Sequence, residues 1–575
     1  MEAMKRIQLL AVGLCISLPA LADTNSEITV ADYQKLIRGR GDVVSLGPDL
    51  FGDRTSLYMG DLEFVQTDIS LPGNNDLPVS IARRFVVNSS NLVVRLFNDW
   101  ELDIPKIHGV FAYKSAPNTL GWAPDRCSNP WAPEGVSGSE GSFFPADSLW
   151  HGTYVYVPGL GDMELLRRGG DVKPQDGRSY PLVTKDNTLF RCVASLDASS
   201  VTTGEGFEMV RPDGTVYRLD HMIQHAETSF MDPMDKPIKR NDLIILPTKV
   251  TDRFGNTVTY TWSGERLVSI VASDGRALYL TGFPVTSITD GTRTWTYQYA
   301  NMGGYGNNLS VVGLPDGSSW SFSMRGLYGE APVTVDTTCD SVNAPDPSAS
   351  SVLTDRRVGA MTHPSGAVGE FTVAGGFAGR SWVPGECRSP FNDDAGKTAV
   401  DPRVIPIWRV FKKKISGPGI GSSGLVWSYN FGPANYCWSG ADTASFYPLQ
   451  PSKFCTSSSP TTREVQVSAP DGAVTRYVYG NRFRVNEGKL LRVDDGWNGG
   501  AAIRTTYYSY RSSDAGPYLK SNGDSLQKRG DYLVTNSNMP QESVLIDEGG
   551  VRYSSQVNEF DSFARPIRVT KSSSP

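Results

Sequence analysis

The chain has 575 residues, of which 39% are apolar and 20% charged, with a net charge of −6, 58 glycines, 37 prolines and seven cysteines. That balance supplies enough apolar surface for large cores, and its slight acidity excludes a nucleic-acid binder held by charge. Glycine and proline are spread throughout, as expected of many short strands joined by tight turns.

Lys5 and Arg6 precede an apolar run over residues 7–18, then Pro19 and Ala20-Leu21-Ala22. This is the pattern of a signal peptide over residues 1–22, with cleavage after Ala22 and an exported mature chain. Cys15 would leave with it, and Leu14 stands where a lipid-anchor motif wants a small residue. No later stretch approaches the roughly 18 consecutive apolar residues that span a bilayer, so no membrane span is expected. Residues 23–44 read as a linker with a short helix over 29–38, where Val30, Tyr33 and Ile37 share a stripe and Thr29 or Asp32 could cap.

From residue 45 the texture becomes β, and residues 45–210 read as a β-rich lead-in domain. Phe64, Gln66, Ile69 and Leu71 alternate across a strand, Gly73 to Asp76 turn the chain, and residues 79–86 return. Residues 211–333 read as hairpin repeats. In 251–270, Asp252 to Gly255 supply a turn and 257–262 a β-branched and aromatic strand. Ser263 and Gly264 turn again, and 266–270 return with Leu267 and Ser269 on one face and Val268 and Ile270 on the other. Asp-Gly turns at Gly214, Gly275, Gly291, Gly317 and Gly472 precede short β runs, and between β runs Asp-Gly points to type I′ turns. From Gly214 to Gly317 the spacing is irregular but about 20 residues, so each unit must stack on its neighbours and the repeats imply one continuous sheet.

Residues 334–462, with Ser- and Pro-rich runs at 344–351 and 456–462, read as a disulfide-bearing, β-rich insertion looped out from that sheet, and repeats resume over 463–575. Six cysteines remain after export: Cys127, Cys192, Cys339, Cys387, Cys437 and Cys455. An even number in an exported chain argues for disulfides. Six cysteines allow 15 pairings; clustering favours Cys127 with Cys192, Cys339 with Cys387 and Cys437 with Cys455. No Cys-x-x-Cys occurs, which removes the usual redox and zinc-ribbon readings.

In Gly255, Tyr260, Trp262, Gly264, Arg266 and Leu267 the chain resembles the YD repeats of bacterial RHS proteins, with Trp262-Ser263 in place of Tyr-Asp. Phe560, Asp561, Ser562, Phe563, Ala564, Arg565, Pro566 and Ile567 resemble the same family's Tyr-Asp-x-x-Gly-Arg-Leu. Asp68, Leu71, Pro72, Gly73, Arg84 and Phe85 resemble its entry region. The resemblance implies an all-β fold: a lead-in domain, then YD-type hairpins forming a curled continuous sheet, a partial shell. It would also bring an Asp-Pro-x-Gly-type autoproteolytic site and a variable C-terminal toxin. Asp232-Pro233, Asp346-Pro347 and Asp401-Pro402 are followed by Met234, Ser348 and Arg403, so these residues do not match that site.

Other motifs point to chemistry only weakly. Gly419-Ile420-Gly421-Ser422-Ser423-Gly424 fits a nucleotide-loop string, but a strand pattern follows where a helix is needed. Gly396-Lys397-Thr398 lacks the first P-loop glycine, Phe391 standing in its place. His221 and His225 could share a helical face as metal ligands, but Met222 occupies the position of the metalloprotease glutamate. No G-x-S-x-G elbow occurs. Lys412-Lys413-Lys414 reads as a solvated strand face or edge protection. The expectation is a non-enzymatic exported structural protein without cofactor, forming part of a β-shell that encloses or presents a cargo such as a toxin encoded further on. The alternative is a secreted module for a cell-surface or glycan partner, its aromatics lining the surface. An uncovered last strand would promote self-association through the C-terminal edge.

Overall fold

A computed structural model of the chain describes residues 50–575 except 74, 88–94, 114–120, 131–132, 139–142, 145–149, 151, 169–175, 232–236, 302–305, 329–354, 386–403, 442–453, 484, 513–514, 517 and 519–538. The signal peptide, the 29–38 helix, Gly396-Lys397-Thr398, Cys339 and Cys387 lie outside the described residues. Those described are nearly all β, with one 3-10 turn at Arg325–Leu327 and no helix long and apolar enough to cross a membrane. One sheet holds 27 strands. From Leu166–Arg167 to Pro566–Ser574 it is an antiparallel meander, and it does not close on itself.

The fork of this sheet follows from a run of apolar residues. Leu243, Ile244, Ile245 and Leu246 are each 0% exposed, so the strand Pro237–Thr251 is buried on both faces. Leu243 and Ile245 join a core with Ile107, Phe111, Trp122, Phe190 and Phe207. Ile244 and Leu246 join a larger core on the opposite face. One edge pairs along its length with Val216–Met231; the other pairs with Lys106–Ala112 and then with Thr257–Ser263. The lead-in region is therefore two bodies. Residues 105–210 pack on one face of the long hairpin, while residues 50–104 form a separate sheet of four strands on the other side.

That small sheet, with its strands Leu62–Ser70 and Ser80–Val86 at the centre, fills the inner face of the meander. Strand after strand of the meander turns its larger residues inward and its Thr and Ser outward. In Thr257–Ser263, Val258, Tyr260 and Trp262 are buried; in Ser319–Ser323, Trp320 and Phe322 are. The inward residues meet the small sheet at many points along the strip. Phe51 packs against Trp320 and Phe371, Phe97 against Tyr297, and Tyr58 against Tyr479. The backbone joins in: Val285 N–H donates to Leu96 O at 2.8 Å and Val410 N–H to Gly60 O at 2.9 Å. The meander is therefore curled around residues 50–104.

The turns differ from the expected type. At Gly317 the Gly317 N–H donates to Leu314 O and the Leu314 N–H to Ser318 O, while Asp316 Oδ1 accepts the Ser318 N–H at 2.9 Å. Only the glycine has positive φ (85°), so the loop is a type I turn closed by a left-handed residue, whereas type I′ needs positive φ at both central positions. The same loop recurs at Gly214, Gly255, Gly275, Gly366 and Gly472. Gly291 is the exception: the Asp290 N–H donates to Arg293 O and Asp290 Oδ1 accepts from Thr292 and Arg293. A Cβ at Gly317 or Gly472 would touch nothing within 4 Å, so substitution costs backbone strain alone. Gly317→Val and Gly472→Val should each lose about 1–2 kcal/mol, read from equilibrium denaturation; unchanged stability in both would contradict the left-handed assignment.

Two further expectations are corrected. Thr261 pairs with Ser269 but Trp262 with Leu267, so Val268 is bulged out of the ladder. The bulge rotates the strand, and Leu267 (0%) and Ile270 (1%) both reach the core rather than opposite faces. The described parts of 334–462 are not looped out. Arg356–Thr362, Val368–Gly379, Val404–Ser416 and Leu425–Phe431 continue the sheet between Ser319–Ser323 and Thr462–Ser468. Beside them Val383–Gly385 and Trp438–Ala441 form a small parallel pair.

Candidate functional site

The interface between the small sheet and the meander holds several buried ionic groups, among them Arg83 and Asp68 with side chains 0% exposed. Arg83 is 0% exposed; its Nε donates to Asp68 Oδ2 at 2.7 Å, and Tyr297 Oη donates to the same oxygen at 3.2 Å. The guanidinium lies 4.4 Å from the Trp100 ring centroid and 4.5 Å from that of Phe322. Aromatic faces thus stand against its remaining N–H groups, Trp100 from the small sheet and Phe322 from the meander. Lys413 Nζ donates to both Asp53 carboxylate oxygens at 2.7 and 2.6 Å, and both side chains are buried. This corrects the reading of residues 412–414 as a wholly solvated face. Asp99 accepts from the Leu309 N–H and the Tyr328 hydroxyl; burial outweighs these bonds and pushes its carboxyl up to about 6. Asp68 and Arg84, from the entry-region resemblance, fall in this sheet, with Arg84 bridging Glu63 and Glu101.

The repeat-signature residues occupy two kinds of turn. Tyr260, Trp262 and Leu267 are core residues, and Gly264 (φ 59°) with Glu265 makes a two-residue loop between Ser263 and Arg266. Phe560, Asp561 and Arg565 belong to the other kind. Asp561 Oδ1 accepts the Phe563 and Arg565 N–H groups, Asp561 Oδ2 pairs with Arg565, and Ala564 takes the left-handed position at φ 62°. The structural counterpart of 560–565 is therefore 251–256, where Asp252 accepts from Phe254 and Asn256 around Gly255. Phe563 at the tip packs against Leu166, Tyr180, Val183 and Leu189. The last hairpin thus comes back onto the lead-in region.

Both described disulfides join the expected partners, Cys127 with Cys192 and Cys437 with Cys455. Glu205 lies beside the first with a carboxylate oxygen within 4.8 Å of both sulfurs. The sulfurs are bonded to each other and Glu205 Oε2 accepts the Cys127 and Ser128 N–H groups at 3.0 and 2.8 Å, so this group caps a turn rather than ligating.

His221 and His225 lie on the strand Val216–Met231, not a helix, and do not converge. His225 pairs with Glu265 at 3.1 Å. His221 has Asp197 Oδ2 at 2.8 Å and Ser199 Oγ at 3.2 Å from Nδ1, and Nε2 donates to Gly264 O at 2.7 Å. Ser, His and Asp are together, but serine and aspartate share one ring nitrogen and the other is committed to a carbonyl, so no base is free to activate a nucleophile. Burial pushes the His108 imidazole down, but the Asp162 carboxylate at 2.9 Å and the Asp242 carboxylate at 3.9 Å together outweigh it and hold the ring above its ordinary value. The pair's contribution to stability is present below pH 6.5 and lost as pH rises through the folded value. In an NMR titration His108 should have its midpoint above 6.5 and fall on Asp162→Asn; a midpoint unmoved by that change would contradict the pairing.

The Gly419–Gly424 segment is the hairpin loop between Val404–Ser416 and Leu425–Phe431, with no helix after it. On the outer face an open cleft of about 490 Å³ is lined by Glu464, Gln466, Arg476, Trp497 and Asn498, with the Arg476 guanidinium 3.7 Å from the Trp497 ring centroid. Neither this cleft nor the Arg83 and Lys413 contacts were readable from local pattern, because their partners lie far apart in the chain. No protein-family model matches the chain, and no curated protein matches it.

Proposed function

We propose that the protein is an exported structural protein of RHS/YD-repeat type, forming part of a β-shell that encloses or presents a polypeptide cargo. One observation supports this above the others: the meander is curled around polypeptide, and among the described residues its outermost strands leave part of the same face exposed. Tyr553 (46%) on Val551–Phe560 and Val569 (38%) on Pro566–Ser574 are exposed on the face where Val544 (6%) on Gln541–Glu548 is buried. Among the described residues Pro566–Ser574 pairs on one edge only. A protease-labile reporter fused after Pro575 tests the reading. The shell reading expects it to survive a protease that digests the same reporter on an unrelated exported β-protein; equal digestion overturns it.

A second reading, a secreted glycan-binding module, is favoured by the cleft at Trp497. Retention on a glycan array that is lost in Trp497→Ala would support it over the shell.

An unpaired strand edge offers N–H and C=O groups to another chain. Sedimentation velocity across a concentration series should show self-association, weakened by Ile567→Lys with Val569→Lys. A single monomeric species at every concentration would contradict an available edge.

A further inference from the structure

Buried ion pairs differ in what their atoms can become. Arg83 with Asp68 and Arg380 with Glu487 use guanidinium groups, which do not deprotonate in proteins and so remain salts. Lys106 shares Glu101 with Arg84 and meets one of its oxygens at 3.0 Å. Lys413 with Asp53 is another case. Its Nζ lies 2.7 and 2.6 Å from the two oxygens of one carboxylate. An atom so placed is within about 3 Å of the carbon between those oxygens, the separation of a near-attack pair.

The surroundings are apolar and aromatic. Lys413 is paired with Phe371 on one neighbouring strand and Trp427 on the other, and its Nζ lies 5.3 Å from the Trp427 ring centroid. Asp53 stands opposite Phe64 in the small sheet, and Phe64 packs edge-on against Phe371 with 4.7 Å between ring centroids. All five side chains are buried. Burial, outweighing Lys413, holds the Asp53 carboxyl above its ordinary value, toward the uncharged acid that an amine can attack. In water an ammonium and a carboxylate resist condensation because both ions are solvated. Here that solvation is lost, and an amide would remove two buried charges.

We propose that Lys413 and Asp53 condense into an isopeptide bond, a modification that fastens the small sheet covalently to the meander. The ion pair first passes one proton from Nζ to the carboxylate, leaving an amine and an acid. The Nζ lone pair then forms a bond to Asp53 Cγ, one C–O bond breaks, and the departing hydroxyl takes a proton from Nζ and leaves as water. No oxidant, reductant or further reactant is consumed. The bond would bridge 360 residues of sequence and join Asp53–Thr55, an edge strand of the small sheet, to Val404–Ser416.

The test is mass spectrometry of the exported chain, reduced and denatured. The parent should weigh one water less than its residues require, and after digestion a branched peptide should join residue 53 to residue 413. An Asp-Gly turn can also lose water, as a succinimide, so the branched peptide rather than the mass alone locates the bond. Lys413→Arg keeps a cation for Asp53 but has no amine to acylate, and it should show the full mass and no branched peptide. A parent chain in which residues 53 and 413 are found only on separate, unmodified peptides overturns the proposal, as does the same loss of water at residue 53 in Lys413→Arg. The parent's own peptides decide the matter even if the variant fails to fold.

Discussion

Arg83→Ala is expected to lower stability by about 3–5 kcal/mol, the cost of leaving a buried carboxylate without its partner. Asp68 and Arg83 side chains are both 0% exposed, so water cannot replace the lost cation. Tyr297 supplies one further bond to Asp68, which does not compensate a charge. The loss should be largely recovered in Arg83→Met combined with Asp68→Asn, which removes both charges while keeping apolar bulk between Trp100 and Phe322. Denaturant unfolding of the two single variants and the double gives the coupling. A single-variant cost below about 1 kcal/mol, the range of exposed pairs, would show that the small sheet is not sealed against the meander.

Removing the Cys127–Cys192 disulfide is expected to cost about 4 kcal/mol. The bridge closes a loop with a sequence separation of 65, and the entropy restored to the unfolded chain sets that scale. It fastens the segment around Trp122 to the strand Leu189–Val193, which lies in the second core with Phe111 and Phe207. Cys127→Ser with Cys192→Ser should therefore unfold well below the parent under oxidising conditions, and the two should converge under reductant. Cys437→Ser with Cys455→Ser, closing a shorter loop with a separation of 18, should lose less. Intact mass of the unreduced exported protein should start at Asp23 and show no alkylatable thiol; a free pair at 127 and 192 would contradict the bridge.

Local chemistry made the hairpins legible. Asp252 to Gly255 and Asp316-Gly317 announce turns because an Asp side chain bonds its own backbone and glycine accepts positive φ, and Val258, Tyr260 and Trp262 announce a strand by alternation. The turn type escaped because type I′ and a type I turn with a left-handed third residue use the same dipeptide. The bulge at Val268 escaped because nothing in Leu267 to Ile270 marks the extra residue. Long-range relations were not legible at all. Leu243 to Leu246 is the sequence mark of a strand buried on both faces, but what covers each face, Phe111 and Phe207 on one and residues 50–104 on the other, is set by segments outside the hairpin. The enclosure of residues 50–104 likewise depends on pairs such as Lys413 with Asp53, separated by 360 residues. Residues 334–462 looked inserted because Ser- and Pro-rich runs interrupt the hairpin texture, although the strands between those runs continue the sheet.

Enclosure of the small sheet is the feature from which the cargo reading and the sealed ion pairs both derive, and native-state hydrogen exchange with proteolysis and mass spectrometry measures it most directly. If the meander is folded around residues 50–104, amides of Leu62–Ser70 and Ser80–Val86 can exchange only when the meander opens. Their opening free energies should then equal those of Thr257–Ser263 and Thr294–Asn301 to within about 1 kcal/mol. Exchange of the small sheet at several kcal/mol lower cost, with the meander still protected, would show a separately unfolding domain and contradict the enclosure.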